Sequence, residues 1–367
     1  MIVPLIVRGR PAIGPGRPSY VIAEIGTNHN RSLDTAKAML HALAGTGCDC
    51  AKFQIYEPDE IVSARVRAAD YGFDRLYGDI SAQEMFERHL KTPKAWFPEL
   101  RDLCHALGMD CAATIHGADG LRWAQSIGLD LVKVASMDHG NLPFLRRLVN
   151  AVDAPILVSA GMADLGDIDA MIAALHGHQR GVGLFHCCAI YPPEPGELRL
   201  PNIPFLQRRY PLPVGFSDHM TGAAEAVEAR ALGAMMFEKH VTLDRTQPGP
   251  DHAFAMEMRA FQGYVAALKH GEPAAAPPPG EFLETSPRER DNRLVALKSI
   301  ISRTNLAAGH ALTVDDVYMS RPGTGISPAD LDEVLGCVLI REVAAETPLQ
   351  WHDLTRRPRV DGIMANQ

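Results

Sequence analysis

The chain reads as an α/β protein: a (β/α)8 barrel of the TIM type followed by a small second domain. Three observations lead there. Eight short β-branched or apolar runs recur through the first 270 residues, helical patterns separate most of them, and the alternation stops at a proline-rich stretch near residue 275. Eight strands alternating with about eight helices in roughly 250 residues is the count a closed parallel barrel requires. A doubly wound sheet is the alternative; it usually has fewer strands and a glycine-rich first turn, and "IGTNHN" is not GxGxxG.

The strand-like runs are "YVIAEIG" (20–26), "CAKFQIY" (50–56), "GMDCAAT" (108–114), "DLVKVAS" (130–136), "PILVSAG" (155–161), "GVGLFHC" (181–187), "LPVGFSD" (212–218) and "AMMFEKH" (234–240). Between them lie helical patterns such as "DTAKAMLHALAGTG" (34–47), "FPELRDLCHALG" (97–108), "ADLGDIDAMIAALHG" (163–177) and "GAAEAVEARALGA" (222–234). Several end at glycine, as a left-handed helix cap requires. The connection 57–96 is unusually long, which predicts a lid or an interface element. The expected division is a barrel over 1–270, a Pro/Ala-rich linker over 271–293, a small domain over 294–356 and a tail over 357–367. "GEPAAAPPPGE" (271–281) predicts a semi-rigid spacer. A domain of about sixty residues is marginal alone and should pack against something.

Of the 367 residues, 46% are hydrophobic and 22% charged, enough apolar mass for a large core. A net charge of −8 argues against nucleic acid or an anionic membrane as partner, though local basic residues can still bind an anionic small molecule. No apolar run reaches the length of a membrane span, and "MIVPLIVRGR" lacks the features of a signal peptide. Seven scattered cysteines predict reduced thiols and a cytoplasmic setting.

Side chains alternate along a strand, so residues i and i+2 share a face. That pairs Glu238 with His240, Ser217 with His219, and Lys52 with Gln54, and sends Lys239 to the opposite face. Glu24, Lys133, Ser136 and Ser159 also fall at or near strand C-termini, where barrels of this class build their sites. His219 and His240 on neighbouring strands predict a divalent ion with oxygen-completed coordination, such as Mn²⁺, Mg²⁺ or Co²⁺. Lys52 and Lys133 need anionic partners: an internal carboxylate such as Glu24 or Glu238, or a ligand phosphate or carboxylate aided by the hydroxyls of Ser136, Ser159 and Ser217.

"IAEIGTNHNRSLDTAKAML", "AKFQ", "VKVAS", "LVSAGM", "HCCAIYP", "GFSDHMTG", "FEKHVTLDRTQPGPDH" and, beyond the spacer, "SRPGTGISP" with "EVLG" resemble the sialic acid synthase family, which includes N-acetylneuraminate, legionaminate and pseudaminate synthases. The resemblance runs through nearly the whole chain in order. It implies a TIM barrel with a C-terminal antifreeze-like (SAF) domain in a domain-swapped homodimer. It also implies a transferase that condenses phosphoenolpyruvate with an open-chain N-acylated hexosamine, giving a nine-carbon 2-keto-3-deoxy acid and phosphate. Lys52, Thr114, Lys133, Ser136, Ser159 and Ser217 then match positions that hold phosphoenolpyruvate. Gln54, Tyr191, Glu238 and Asp251 match positions around the sugar, and Glu24 is the expected proton-handling carboxylate. His219 and His240 would hold the metal, Mn²⁺ first. Arg321 would reach the sugar from the partner subunit.

The chain departs from the family pattern at four places. Cys188 and Ala189 replace a polar pair, "TIHG" (114–117) stands where Thr-Pro-Phe is usual, "LKSI" replaces paired arginines, and "NHNR" replaces Asn-His-Asn-Gly. Two other readings stay open: a Schiff-base pyruvate aldolase using Lys133, and a non-catalytic ligand-binding homologue.

Overall fold

In the computed structural model the described residues are 2–271, 280 and 283–355. The barrel strands are β3 (Tyr20–Glu24), β4 (Cys50–Ile55), β5 (Asp110–Ile115), β6 (Leu131–Val134), β7 (Ile156–Ser159), β8 (Val182–Cys187), β9 (Val214–Asp218) and β10 (Met236–Thr242). All eight are parallel, and β10 pairs with both β9 and β3, so the sheet closes and the doubly wound alternative is excluded.

The two faces of each strand do different jobs. Residues such as Val21, Ala51, Phe53, Val132, Val158, Leu184, Phe216 and Phe237 point outward and form one continuous core with the surrounding helices. Their neighbours Ile22, Cys50, Ala112, Leu131, Leu157, Phe185 and Met236 point inward and fill the lower barrel. Gly215 makes room there: a Cβ on it would lie 2.3 Å from the Met236 side chain. An unpredicted N-terminal hairpin, β1 (Leu5–Val7) with β2 (Arg10–Ile13), plugs this end with Leu5, Val7 and Ile13. Beneath it, buried Asp110 accepts hydrogen bonds from Tyr20 (2.7 Å) and Arg10 (3.0 Å).

The long connection 57–96 forms short helical pieces, including Pro58–Ile61, Ala82–Met85 and Phe86–Leu90, that lean over the barrel mouth. β11 (Met256–Glu257) pairs with the end of β10. The second domain carries the hairpin β12 (Ser299–Ser302) and β13 (Val317–Ser320) over its own small apolar core, built on Ile300, Leu312, Val334, Leu339 and Leu349.

Much of the expected 271–293 linker, at 272–279 and 281–282, lies outside the described residues, as does the 357–367 tail. Among the described residues a helix, Pro287–Ala296, starts inside the 271–293 range and runs past its end. Proline is favoured at the first helical position, where its missing N–H costs nothing, and the Ser286 hydroxyl caps the Glu289 N–H at 3.1 Å. Glu289 then turns its buried carboxylate to the barrel, accepting from the backbone N–H of Met162 (2.6 Å) and Ala189 (3.1 Å).

The second domain also grips the 57–96 segment. The Arg321 carbonyl accepts from the Ser63 N–H (3.0 Å), the Arg321 guanidinium donates to the Ile61 carbonyl (3.0 Å), and the Ser320 hydroxyl donates to the Asp59 carbonyl (2.8 Å). Arg321, which the resemblance puts over a partner's barrel, lines the cavity of its own chain here.

Among the described residues no helix is long and apolar enough to cross a membrane. All seven cysteines are free and buried.

Replacing Glu289 with alanine strands two buried backbone donors. Glu289→Ala is expected to lower unfolding stability by about 2 kcal/mol, with Glu289→Gln losing less; urea denaturation of both variants checks it.

Candidate active site

One cavity of about 510 Å³ opens at the C-terminal ends of the strands. Of the residues expected at a site, Glu24, Lys52, Gln54, Thr114, Lys133, Ser136, Ser159, Tyr191, Ser217, His219, Glu238, His240, Asp251 and Arg321 all line it. Strand register explains the convergence: His240 lies beside Glu24, Glu24 beside Lys52, and Glu238 beside Ser217.

The floor is a charge cluster. Lys52 Nζ is 2.7 Å from Glu24 Oε2 and donates to Thr114 Oγ1 at 2.8 Å. Lys133 Nζ is 2.8 Å from Glu238 Oε2, and Lys52 reaches the same oxygen at 3.6 Å. Both lysines therefore already have carboxylate partners, the first of the two readings weighed for them. Burial pushes the Glu238 carboxyl up, but Lys133 and Lys52 outweigh it and hold it down, at about 2. Burial dominates at Glu24, whose carboxyl is raised even with Lys52 beside it. Around this floor, the Ser217 hydroxyl is buried without a protein partner, and Ser136 Oγ accepts the Gly161 N–H at 3.1 Å.

Lys239 points outward as the alternation predicts. It is held by Asp218 (2.8 Å) and by the carbonyls of Met220 and Gly222. It serves the barrel wall, not the cavity.

The two imidazoles stand side by side, ring centroids 5.6 Å apart. His219 Nδ1 faces the Cys188 carbonyl at 2.9 Å. A carbonyl can only accept, so Nδ1 carries the proton and Nε2 keeps its lone pair. Burial lowers the His219 pKa to about 4 and pushes His240 well below the usual range, so both rings are neutral at pH 7. His240 Nδ1 is buried without a hydrogen-bond partner, 3.5 Å from Asp251 Oδ2. No group of three or more His, Cys, Asp or Glu side chains among the described residues is spaced to hold an ion. The donor set is two bare imidazole nitrogens and no more, which fits an ion that keeps most of its coordination sphere for water or ligand. The Cys188 departure does not touch this arrangement, because His219 uses the backbone of that residue.

Above the floor lies a second tier. Gln54 donates to Glu24 Oε1 at 2.9 Å, and Asp251 accepts from the Thr27 hydroxyl at 3.3 Å. Gly26 turns the chain here with φ +54°, and a Cβ on it would lie 3.2 Å from Glu24 and 3.3 Å from Asp251. Burial, then the charge of Glu24, raises the Asp251 carboxyl to about 7. Tyr191, 53% exposed, rests its ring on His219 with centroids 4.1 Å apart. The Arg321 guanidinium lies over Tyr71 (5.2 Å) and Phe86 (5.6 Å).

Several lining residues were not anticipated. Ile61, Tyr71, Phe73, Met85, Phe86 and Leu90 from the 57–96 segment make an apolar wall, and Phe254 and Thr27 complete the rim. His116 also lines the cavity. Only the length of the 57–96 insertion signals the wall; "TIHG" is a departure expected to touch the ligand pocket, with no role given to His116 itself.

The comparisons with known proteins give the family and the fold. The NeuB family model matches residues 39–276, and a SAF domain model matches 298–355. The chain belongs to the NeuB family. Over 353 residues it is 29% identical to an N,N'-diacetyllegionaminic acid synthase of Legionella pneumophila, covering 95% of this chain and 98% of that one. It is 27% identical to a pseudaminic acid synthase of Helicobacter pylori, covering 93% and 99%. Among solved structures, a spore coat polysaccharide biosynthesis protein of Bacillus subtilis superposes with a TM-score of 0.81 at 26% identity, over 97% of this chain and all of that one. In this NeuB-family chain the family match falls on the barrel and the SAF match on the second domain.

Removing Lys133 leaves buried Glu238 with only the more distant Lys52, at 3.6 Å. Lys133→Met is expected to cost about 3 kcal/mol of stability. Lys133→Met/Glu238→Gln should recover part of that loss in a double-mutant cycle followed by chemical denaturation.

Proposed function

We propose that this protein condenses phosphoenolpyruvate with an open-chain N-acylated hexosamine, forming a nine-carbon 2-keto-3-deoxy acid and phosphate. The observation that carries this reading is the layered cavity: a lysine-and-hydroxyl floor suited to a small polyanion, with a carboxylate, arginine and aromatic tier above it. The synthase names of its NeuB-family relatives support it.

In this reading Lys52 and Lys133 exchange part of their pairing with Glu24 and Glu238 for the phosphate and carboxylate of phosphoenolpyruvate. Thr114, Ser136, Ser159 and Ser217 supply hydroxyls to the same anion. Gln54, Tyr191, Glu238, Asp251 and Arg321 hold the sugar so that its aldehyde carbon faces C3 of phosphoenolpyruvate. A carbon–carbon bond forms between those atoms, a water oxygen adds to C2, and phosphate departs with its bridging oxygen. The aldehyde oxygen gains one proton of that water, and the departing phosphate takes the other as the C2 hydroxyl becomes a ketone. Glu24 is the proton-handling carboxylate, its raised pKa suiting a group that alternates between forms. His219 and His240 would hold a divalent ion, Mn²⁺ first and Mg²⁺ or Co²⁺ as alternatives, which supplies Lewis-acid polarisation of the aldehyde and orients water. A cytoplasmic, domain-swapped homodimer is part of the proposal on the family resemblance; within one chain Arg321 also lines that chain's own cavity.

One observation favours a second reading. Burial lowers the Lys133 pKa, as a Schiff-base lysine requires. Glu238 at 2.8 Å works against it by stabilising the charged amine. Borohydride trapping with pyruvate separates the two: a covalent adduct on Lys133 supports the aldolase, and no adduct supports condensation.

The direct test is phosphate release from phosphoenolpyruvate with Mn²⁺ and a panel of aldoses. The panel holds N-acetylmannosamine and the 2,4-diacetamido-2,4,6-trideoxy sugars of manno and altro configuration. Release with at least one is expected, with loss in EDTA; phosphoenolpyruvate binding without release from any of them counts against the reading and favours a ligand-binding homologue. His240→Ala should lose metal-dependent turnover while keeping its circular dichroism spectrum. Arg321→Ala should raise the sugar KM by about tenfold, the scale of one charge-assisted hydrogen bond, with little change in the phosphoenolpyruvate KM.

A further inference from the structure

His116 follows directly on β5 and stands two residues beyond Thr114, on the same inward face. Thr114 belongs to the floor through Lys52. His116 is therefore one pleat nearer the mouth, level with the second tier. It is 5% exposed, and its ring packs edge-on against Tyr56 with centroids 5.9 Å apart.

Its two nitrogens have different surroundings. Nδ1 lies 2.7 Å from Asp138 Oδ2, whose carboxylate is fully buried. Among the described residues Nε2 has no hydrogen-bond partner, and it is not one of the atoms sealed off inside the protein. Asp138 is in turn held from the second domain: Lys298 Nζ lies 2.5 Å from Asp138 Oδ1 and donates to the His116 carbonyl at 2.7 Å. Lys298 is itself 5% exposed. Two separate departures from the family pattern, "TIHG" and "LKSI", thus meet at one carboxylate.

We propose that His116 is a further sugar-contacting residue of this site, presenting Nε2 to the cavity as a hydrogen-bond acceptor, and that Lys298 is the positioning residue that fixes the His116–Asp138 pair across the domain boundary. The assignment rests on the condensation reading given above. The ligand group it suits is a hydroxyl or amide N–H of a polyhydroxylated N-acylamino aldehyde.

Electrostatics agree with the geometry. Burial would raise the Asp138 carboxyl, but Lys298 and His116 outweigh it and keep it ionised. An ionised carboxylate accepts only, so the proton on His116 sits on Nδ1. Burial lowers the His116 pKa, Asp138 opposes that, and Lys298 and Arg321 add to the lowering, so the ring is neutral. Its free nitrogen is a lone pair, a role that neither Arg321 nor a protonated amine can fill.

The experiment measures steady-state phosphate release by the full chain with phosphoenolpyruvate, Mn²⁺ and whichever panel aldose the wild type uses. His116→Phe, which keeps a ring and removes both nitrogens, should lower kcat/KM for the aldose by about tenfold to a hundredfold, the range for a lost buried hydrogen bond. The phosphoenolpyruvate KM should stay within about twofold. His116→Gln should restore part of the loss. Lys298→Met should shift the same aldose parameter in the same direction, and Lys298→Arg should rescue it. Aldose parameters unchanged in His116→Phe overturn the contact. Equal losses for both substrates in Lys298→Met and His116→Phe, tracking a common fall in Tm, overturn it as well and reduce the triad to a domain tie. A wild type that releases no phosphate with any aldose overturns the reaction first, and this assignment with it.

Discussion

Two lysines sealed at the centre of a barrel impose the constraint from which the site follows. Lys52 and Lys133 are each about 3% exposed, and an ammonium taken from water must be matched by negative charge. Here Glu24 and Glu238 match them, with one oxygen of Glu238 reached by both. The pairing leaves neither lysine with an unmatched charge. Glu24 also has Gln54 as a partner, at 2.9 Å, so under the proposed reaction it is not left bare when Lys52 turns to an anion. A site built this way is neither permanently filled nor permanently strained.

What surrounds that cluster comes from three distant parts of the chain. The barrel contributes the floor, the 57–96 segment the apolar wall, and the second domain Arg321 and Lys298. The second domain reaches the barrel through polar contacts: Glu289 on two backbone amides, Arg321 and Ser320 on the 57–96 backbone, Lys298 on Asp138. Each contact satisfies a donor or acceptor that would otherwise be buried alone. Seating the domain and finishing the cavity are therefore one event.

The inward polar row was legible in the sequence because strand alternation is a strict period of two, and all eight runs kept it. Every residue read from that row lines the cavity. Three things escaped. The N-terminal hairpin has strands of three and four residues, too short for alternation to stand out. The apolar wall comes from short helical pieces with no sustained period. The His116–Asp138–Lys298 contact joins residues up to 182 positions apart, and nothing local in "TIHG" or "LKSI" refers to the other. Pro287 falls inside the expected 271–293 linker, whereas Ser286 before it and Glu289 after it mark a helix start.

The hairpin at the lower end has a kinetic meaning. By filling that end with Leu5, Val7 and Ile13 it closes the barrel there, so among the described residues the cavity opens at the C-terminal strand ends. Whatever occupies the lysine floor must pass the upper tier while that tier is vacant, and a ligand in the upper tier blocks the way down. Under the proposed reaction the order of addition is then set by architecture: phosphoenolpyruvate descends first, the aldehyde closes over it, and phosphate left at the floor waits until the larger product has gone.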